Sequence, residues 1–425
     1  MVFRRNSGIA ALLALVAAAS MWFYIRRIDV PHQEHEAVKL ERPRGNLSDL
    51  YPRWLGAREL LLHGRDPYSL EVTREIQRGY YGREIDSSRP GDPKDMEGFA
   101  YPVYVAFVLA PTLHMDFATV RVLSLWLLTG FTVLSVLLWE RVIGLGFSPW
   151  AFVVVTLLTL GSYPFAEAIS LQQLSLLVAV LLAGSFLTRL SGQLFLSGAL
   201  LALATIKPQL ALLPLLLMVF WVLGNWRERR NWMWGFASTM ALLLGASEYL
   251  LPGWIFRFYD AARSYQAYIG GTAFLDLLLG ARWGGVGRIL IALVVLWVGW
   301  KARKFAPNDS ASLRAMSLAL AAAVCTAPNR ATYNQVLLLP GLFLAFDLAQ
   351  RSGPMVRRLG MMVEGLLVWP WIACGILIVA GVVFHATDFV QRAWQLPLYT
   401  TLSLPVALLV LLLVLPVQGR IAERS

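Results

Sequence analysis

About twelve apolar runs of roughly bilayer-spanning length, separated by short polar links, constrain this chain more than any other feature. They begin near residues 7, 117, 147, 171, 193, 208, 232, 285, 310, 333, 360 and 398. A helix rises ~1.5 Å per residue, so crossing a ~30 Å hydrocarbon core takes about 20 residues. Backbone polar groups in hydrocarbon must bond within their own segment, which makes each run a helix. The expected fold is an all-α polytopic membrane protein with about twelve transmembrane helices. Composition agrees: 57% of residues are hydrophobic and 15% charged, against about 25% charged in a soluble domain.

The links sort by charge. "RVIGLG", "TRLSG", "NWRERRN", "KARK", "RSGPMVRR" and "GRIAERS" are basic, and the alternate links are not. Positive charge stays on the cytoplasmic side. The net charge of +11 is therefore topological, and no nucleic-acid partner is expected. The alternation puts both termini in the cytoplasm and residues 26–116 outside. Residues 7–25 follow "MVFRR" and end in "MWFYIRR", an interfacial belt without a clear small-x-small cleavage site; they read as a retained span. "YPVYVAFVLAP" (101–111) is apolar but too short to cross, so it reads as an interfacial or re-entrant helix. The chain reads as one membrane domain, 1–425.

Residues 26–116 form an unusually long polar insert. "WLGARELLLHG" (54–64) predicts a helix with Trp54, Leu55, Leu60, Leu61 and Leu62 on one broad face, stopped by Gly64. "RDPYS" is a turn, 70–81 a second short helix, and "REIDSSRPGDPKDMEG" a flexible, solvated loop. Together they suggest a helical lid on the membrane surface.

Ionisable residues at span ends are functional candidates by default, because polar groups facing lipid are costly. The expected outer face carries Asp49, Asp66, His114, Glu167, Gln172, Gln173, Lys207, Gln209, Arg263, Arg330, Asn334, His385 and Asp388. Asp49 in "GNLSDLYPRW" admits three readings: a base held partly out of water, the N-cap of the helix that begins near Pro52, or a plain solvated loop residue. Lys207, in "ATIKPQL", is either a phosphate contact or a snorkelling lysine. Gln172 and Gln173 either bond sugar hydroxyls or cap helices. Arg330 and Arg263 are either phosphate ligands or interfacial anchors, and Tyr333 and Asn334 share the outer link with Arg330. No Walker loop, GxSxG elbow, HExxH or CxxC pair is present. Cys325 and Cys374 lie in apolar runs, and no ligand cluster calls for a metal or another cofactor. The polarity is one-sided, which favours an enzyme at the outer leaflet over a transporter or flippase with a polar path, or a scaffold in which Asp49 and Lys207 are freely replaceable.

Taken in order, "LSDLYPRWLGARELLLHGRDPYS", "FAYPVYVAFVLAP", "LQQLSLLVAVLLAG", "LSGALLALATIKPQLALLPLLL" and "APNRATYNQVLLLP" resemble glycosyltransferase family 87 of the GT-C superfamily over residues 46–350. The resemblance implies a GT-C-type fold in a bacterial plasma membrane. It also implies transfer of a hexose, commonly mannose, from a polyprenyl-phosphate donor to a glycolipid or glycan acceptor. Carried over, Asp49 matches the acid of the first external loop, the expected general base. Lys207 matches the lysine of a "KP" motif that contacts donor phosphate, and Gln172 or Gln173 the glutamine of a "GQ" motif. Tyr333 and Asn334 fall where the family shows an aromatic and an Asp or His. The chain departs from the pattern with "YPV" for "YPP", "QQ" for "GQ" and Asn334 for an acid or histidine. An oligosaccharide ligase or polymerase shares the same external-loop logic.

Overall fold

A computed structural model describes residues 7–39, 48–86, 88–89, 91–93, 96–268, 273–328 and 331–416, and every regular element among them is helical. α1 (Ser7–Tyr24) passes through one π-helical turn at 25–29 into α2 (Val30–Lys39), making a continuous helix from Gly8 to Lys39. The insert then supplies α3 (Leu50–His63), α4 (Leu70–Tyr81) and α5 (Val105–Leu109), the last followed by a 3-10 turn at 110–112. α3 ends as its sequence demands. Gly64 takes φ 65°, its N–H bonds the Leu60 carbonyl at 3.1 Å, and Arg65 N–H bonds that of Glu59 at 3.0 Å, so the last carbonyls are met by a glycine-led turn. Ser69 caps α4 by accepting from Val72 N–H at 3.3 Å.

Three details of the insert differ from the expectation. α3 begins at Leu50 rather than near Pro52. Its apolar face is narrower than the leucine run suggests: Trp54 and Leu60 are buried, while Leu62 is exposed. The loop after α4 is tied down rather than free. Arg83 grips the Asp92 carboxylate, and the Gln77 amide accepts from Ile85 N–H at 3.1 Å and donates to the Met96 carbonyl at 3.0 Å. The segment 101–111 is one short helix and a turn. The helix and turn together, 105–112, rise only ~12 Å at helical pitch, too little to cross a bilayer.

The remaining helices are α6 (Phe117–Ile143), α7 (Pro149–Leu160), α8 (Tyr163–Ser170), α9 (Ser175–Leu190), α10 (Leu194–Ala204), α11 (Pro208–Gly224), α12 (Trp226–Leu250), α13 (Trp254–Tyr268), α14 (Phe274–Ala302), α15 (Ser310–Thr326), α16 (Leu339–Ala349), α17 (Pro354–Val382), α18 (Thr387–Arg392) and α19 (Leu404–Val414). Each of the twelve apolar runs thus contains helix. Five helical stretches are long and apolar enough to cross a membrane alone, and up to seven if the bent pairs α7–α8 (62°) and α12–α13 (92°) each count once. The other five apolar helices, α9, α10, α11, α15 and α19, have 10–17 residues.

Small residues set the closest approaches. α15 is buried along nearly its whole length, from Ser310 to Cys325. Its serines and alanines let α11, α14, α16 and α19 pack around it. α10 and α12 meet through reciprocal glycines. A Cβ on Gly198 would collide with the Trp232 carbonyl, and one on Gly235 with the Phe195 carbonyl. By contrast, Leu12, Leu13, Trp283, Ile289, Leu293 and Trp297 are exposed, as befits helix faces solvated by lipid. The collisions at the α10–α12 contact involve backbone, which cannot rotate away. Gly235→Val is therefore expected to cost ~3 kcal/mol, the upper end for overpacking. A thermal melt of the detergent-solubilised variant should fall by several degrees; an unchanged melting temperature would show that these helices can separate without loss.

Candidate active site

The first link in the site is a backbone one. Asp49 N–H donates to the Leu171 carbonyl at 3.0 Å, docking the start of α3 on the turn between α8 and α9. Asp49 occupies the N-cap position of α3, yet its side chain makes no cap bond. The carboxylate instead accepts from the Gln173 amide nitrogen. The Gln173 amide oxygen accepts from Lys207 Nζ at 2.7 Å, and Lys207 Nζ also donates to Ser175 Oγ at 2.7 Å. Ser175 Oγ donates to Asn334 Oδ1 at 2.9 Å. Five side chains from the insert, the α8–α9 turn, the start of α9, the α10–α11 turn and the 3-10 segment 332–338 thus form one connected chain of hydrogen bonds.

The structure separates the two glutamines. Gln172 has φ 51°, in the left-handed region that glycine enters without steric cost. Its amide nitrogen folds back onto the carbonyls of Ile169 (3.2 Å) and Ser170 (2.6 Å). Gln172 makes the sharp turn, and Gln173 is the residue that the turn presents. The glycine of the "GQ" pattern suits the same geometry, so the "QQ" departure leaves the turn intact.

Lys207 precedes Pro208, the first residue of α11, and is 3% exposed. Its ammonium lies 5.1 Å from the Tyr333 ring centroid and 5.9 Å from that of Tyr101. Arg53, one turn into α3 and 7% exposed, sits 4.8 Å from the other partner it shares with Lys207, the Tyr101 ring, and donates to the Asp49 carbonyl at 2.6 Å. Arg53 Nε is buried with no hydrogen-bond acceptor. Both cations line a cavity of about 190 Å³, together with Tyr101, Tyr265, Tyr333 and Asn334. Removal from water raises the Asp49 pKa, and Arg53, Lys207 and the Gln173 hydrogen bond pull it back only in part.

Of the residues singled out from sequence, Asp49, Gln173, Lys207, Tyr333 and Asn334 come together, and of these Lys207, Tyr333 and Asn334 line the cavity beside Gln209. Gln172 shapes the turn. Arg263 is exposed on α13 and does not line the cavity, although its neighbours Ala262, Tyr265 and Gln266 do. Arg330 lies outside the described residues. Two other carboxylates of the expected outer face are engaged elsewhere: Glu167 accepts from the Thr332 hydroxyl, and Asp66 accepts from Arg257 at 3.1 Å and from Tyr68 N–H at 2.9 Å. Arg53, Tyr101 and Ser175 escaped the sequence reading. For Arg53 a signal existed: it lies four residues after Asp49, one helical turn on. Among the described residues no group of three or more His, Cys, Asp or Glu side chains converges as a metal-ligand set.

The geometry makes a signed prediction. The Asp49 carboxyl, followed by infrared difference spectroscopy with Asp49→Asn as the blank, should titrate above the ordinary carboxylate range. Gln173→Leu and Lys207→Met each remove an interaction that favours the anion, so each should raise that pKa further. Gln172→Gly should leave it where it is. A shift in the Gln172 variant equal to that in the Gln173 variant would reverse the assignment of the two glutamines.

Comparison with known protein families gives a match to part of the chain. The family description "Glycosyltransferase family 87" matches residues 99–328, just over half of the chain, an interval that holds Gln173, Ser175 and Lys207 but not Asp49, Arg53, Tyr333 or Asn334. No curated protein and no solved structure matches the chain. Its helical architecture, its apolar spans and that match together place the chain in glycosyltransferase family 87.

Proposed function

We propose that this glycosyltransferase moves a hexose, mannose foremost, from a polyprenyl-phosphate donor to a hydroxyl of a glycolipid or glycan acceptor, with inversion at the anomeric carbon. The observation that carries the reading is that two buried cations, Lys207 and Arg53, line one cavity and are both tied to one residue that bears a carboxylate, Asp49, Lys207 through the Gln173 amide and Arg53 through the Asp49 carbonyl. Asp49 takes the proton of the acceptor hydroxyl as its oxygen attacks the anomeric carbon. The bond from that carbon to the phosphate oxygen breaks, and polyprenyl phosphate leaves. Lys207 and Arg53 meet the charge that grows on the departing phosphate; the unpartnered Nε of Arg53 gives that anion a donor. One base and one leaving group suffice, so the second carboxylate of a glycoside hydrolase has no counterpart to find here. Tyr101 and Tyr333 give the sugar apolar faces to rest against.

On this reading the protein resides in a bacterial plasma membrane with about twelve passes. Both termini are cytoplasmic and the site faces outward under α3, α4 and α13, with the donor's hydrocarbon tail among the spans. The shorter helices α9, α10, α11, α15 and α19 pair with their neighbours to complete the count. The basic links then share one side.

The deciding experiment is transfer of label from a panel of polyprenyl-phosphate sugars into membrane product. Asp49→Asn keeps the shape and removes the base, and should lower transfer by roughly 10²–10⁴-fold in a protein that still folds. Arg53→Met and Lys207→Met should depress use of the donor. Because Asp49 must be ionised to act, transfer by the wild type should fall with acidification at a pH above the ordinary carboxylate range. Equal transfer by Asp49→Asn would make Asp49 a structural acid. Topology has its own check. Cys325 and Cys374 are both buried, so Ser88→Cys offers a single accessible thiol. An impermeant reagent applied from outside should label it; labelling only from the inside would invert the assigned topology.

A further inference from the structure

A second cavity, of about 470 Å³, opens between α13, α4 and the segment 96–100. It shares Ala100 and Tyr265 with the cavity that holds Lys207 and Arg53, so the two adjoin. Its volume falls within the range of small-ligand sites, roughly 300–1,000 Å³. Its lining is not that of a lipid crevice. Thr73, Ser264 and Tyr265 present hydroxyls, Glu97 and Asp260 carboxylates, and Tyr68 an aromatic ring that the buried Phe99 backs in a T-shaped contact, ring centroids 5.3 Å apart. Hydroxyls and carboxylates over an aromatic wall suit a sugar ring, whose edges bond and whose C–H face packs. The lining counts three carboxylates to one guanidinium, and that guanidinium, Arg257, is held by Asp66 at 3.1 Å.

We propose that this outer cavity is the acceptor subsite, and that it takes the terminal unit of a neutral, hydroxyl-rich saccharide while disfavouring one that bears phosphate or carboxylate. The proposal deepens the functional reading and rests on it for the word acceptor. The donor's phosphate belongs with the two cations, and the acceptor reaches Asp49 from the carboxylate-lined side past Tyr265. In an inverting displacement, nucleophile and leaving group occupy opposite faces of the anomeric carbon, so separate approaches for the two substrates are what the chemistry requires. α13 forms one wall of both cavities through Tyr265.

The test reads binding without turnover. Saturation-transfer difference NMR would be run on the full chain in nanodiscs, with methyl α-mannoside, methyl α-glucoside, methyl α-galactoside and methyl α-mannoside 6-phosphate as probes. At least one neutral hexoside should receive saturation from the wild type, and the 6-phosphate should receive several-fold less. The signal should drop five-fold or more in Asp260→Asn combined with Glu97→Gln. It should drop likewise in Ser264→Trp, which fills the cavity from an exposed position on α13 and so leaves the packed core alone. Binding by no hexoside, equal binding of the 6-phosphate, or undiminished signal in both variants would each overturn the proposal. Donor hydrolysis to free hexose, measured on the same samples, reports the donor chemistry separately. Loss of that activity with hexoside binding intact would count against the functional reading and not against this cavity.

Discussion

A charge held beside a bilayer must be answered by another charge, and here the answer travels through an amide. Asp49 and Lys207 do not touch. Gln173 stands between them, giving its N–H to the carboxylate and its oxygen to the ammonium. Direct pairing would tie both groups up in one bidentate contact. The intervening amide lets the two charges stabilise each other while each keeps an open side. The arrangement depends on backbone: the turn at Gln172, the docking of Asp49 N–H on Leu171 and the break between α10 and α11 at Lys207 all fix where these three side chains begin.

The helices were legible because bilayer thickness and helical rise leave little freedom. Each of the twelve apolar runs holds helix, and Gly64 and Ser69 ended and started the insert helices where turn and cap chemistry put them. Lengths were less legible. The apolar run spread over 193–224 resolves into α10 and α11, neither reaching 18 residues, because Lys207-Pro208 breaks it and hydropathy does not weigh a break. The loop at 83–98 read as free because Gly, Pro, Ser and Asp dominate it. Its Arg83–Asp92 clasp joins residues nine apart, a pairing that composition cannot announce.

The site was legible as a set of residue types and illegible as an arrangement. Asp49, Lys207, Tyr333 and Asn334 stood out as polar or aromatic residues at span ends, and they converge. Arg263 stood out for the same reason and points elsewhere, because one helix carries both cavity-lining and exposed positions and a mean pattern does not fix its rotation. Arg53 and Tyr101 were passed over as parts of a surface helix and a surface segment. Their importance arises only when α3 and the 101–111 segment fold against the α10–α11 turn. Ser175 looked like an ordinary helix start, yet it is the hinge between Lys207 and Asn334.

Charge accounting then separates three carboxylates of the expected outer face, Glu167, Asp66 and Asp49. Glu167 is held by the hydroxyl of Thr332 at the start of the 3-10 segment that carries Tyr333 and Asn334; protonating or deprotonating an acceptor there would loosen the wall of the site itself. Asp66 accepts from Arg257 through one carboxylate oxygen and from its own turn through the other, so both oxygens are already engaged. Asp49 is held out of water with its hydrogen bond coming from an uncharged amide, and with Lys207 and Arg53 near but not in contact with its carboxylate oxygens. Its basicity is raised by burial, and its proton acceptance is opposed by two cations that have their own anion to bind. When a phosphate group neutralises those cations, the restraint they place on Asp49 weakens and its affinity for a proton rises. On the proposed function, binding of a phosphate-bearing donor would therefore prepare Asp49 for the acceptor through electrostatics, without any movement of the fold.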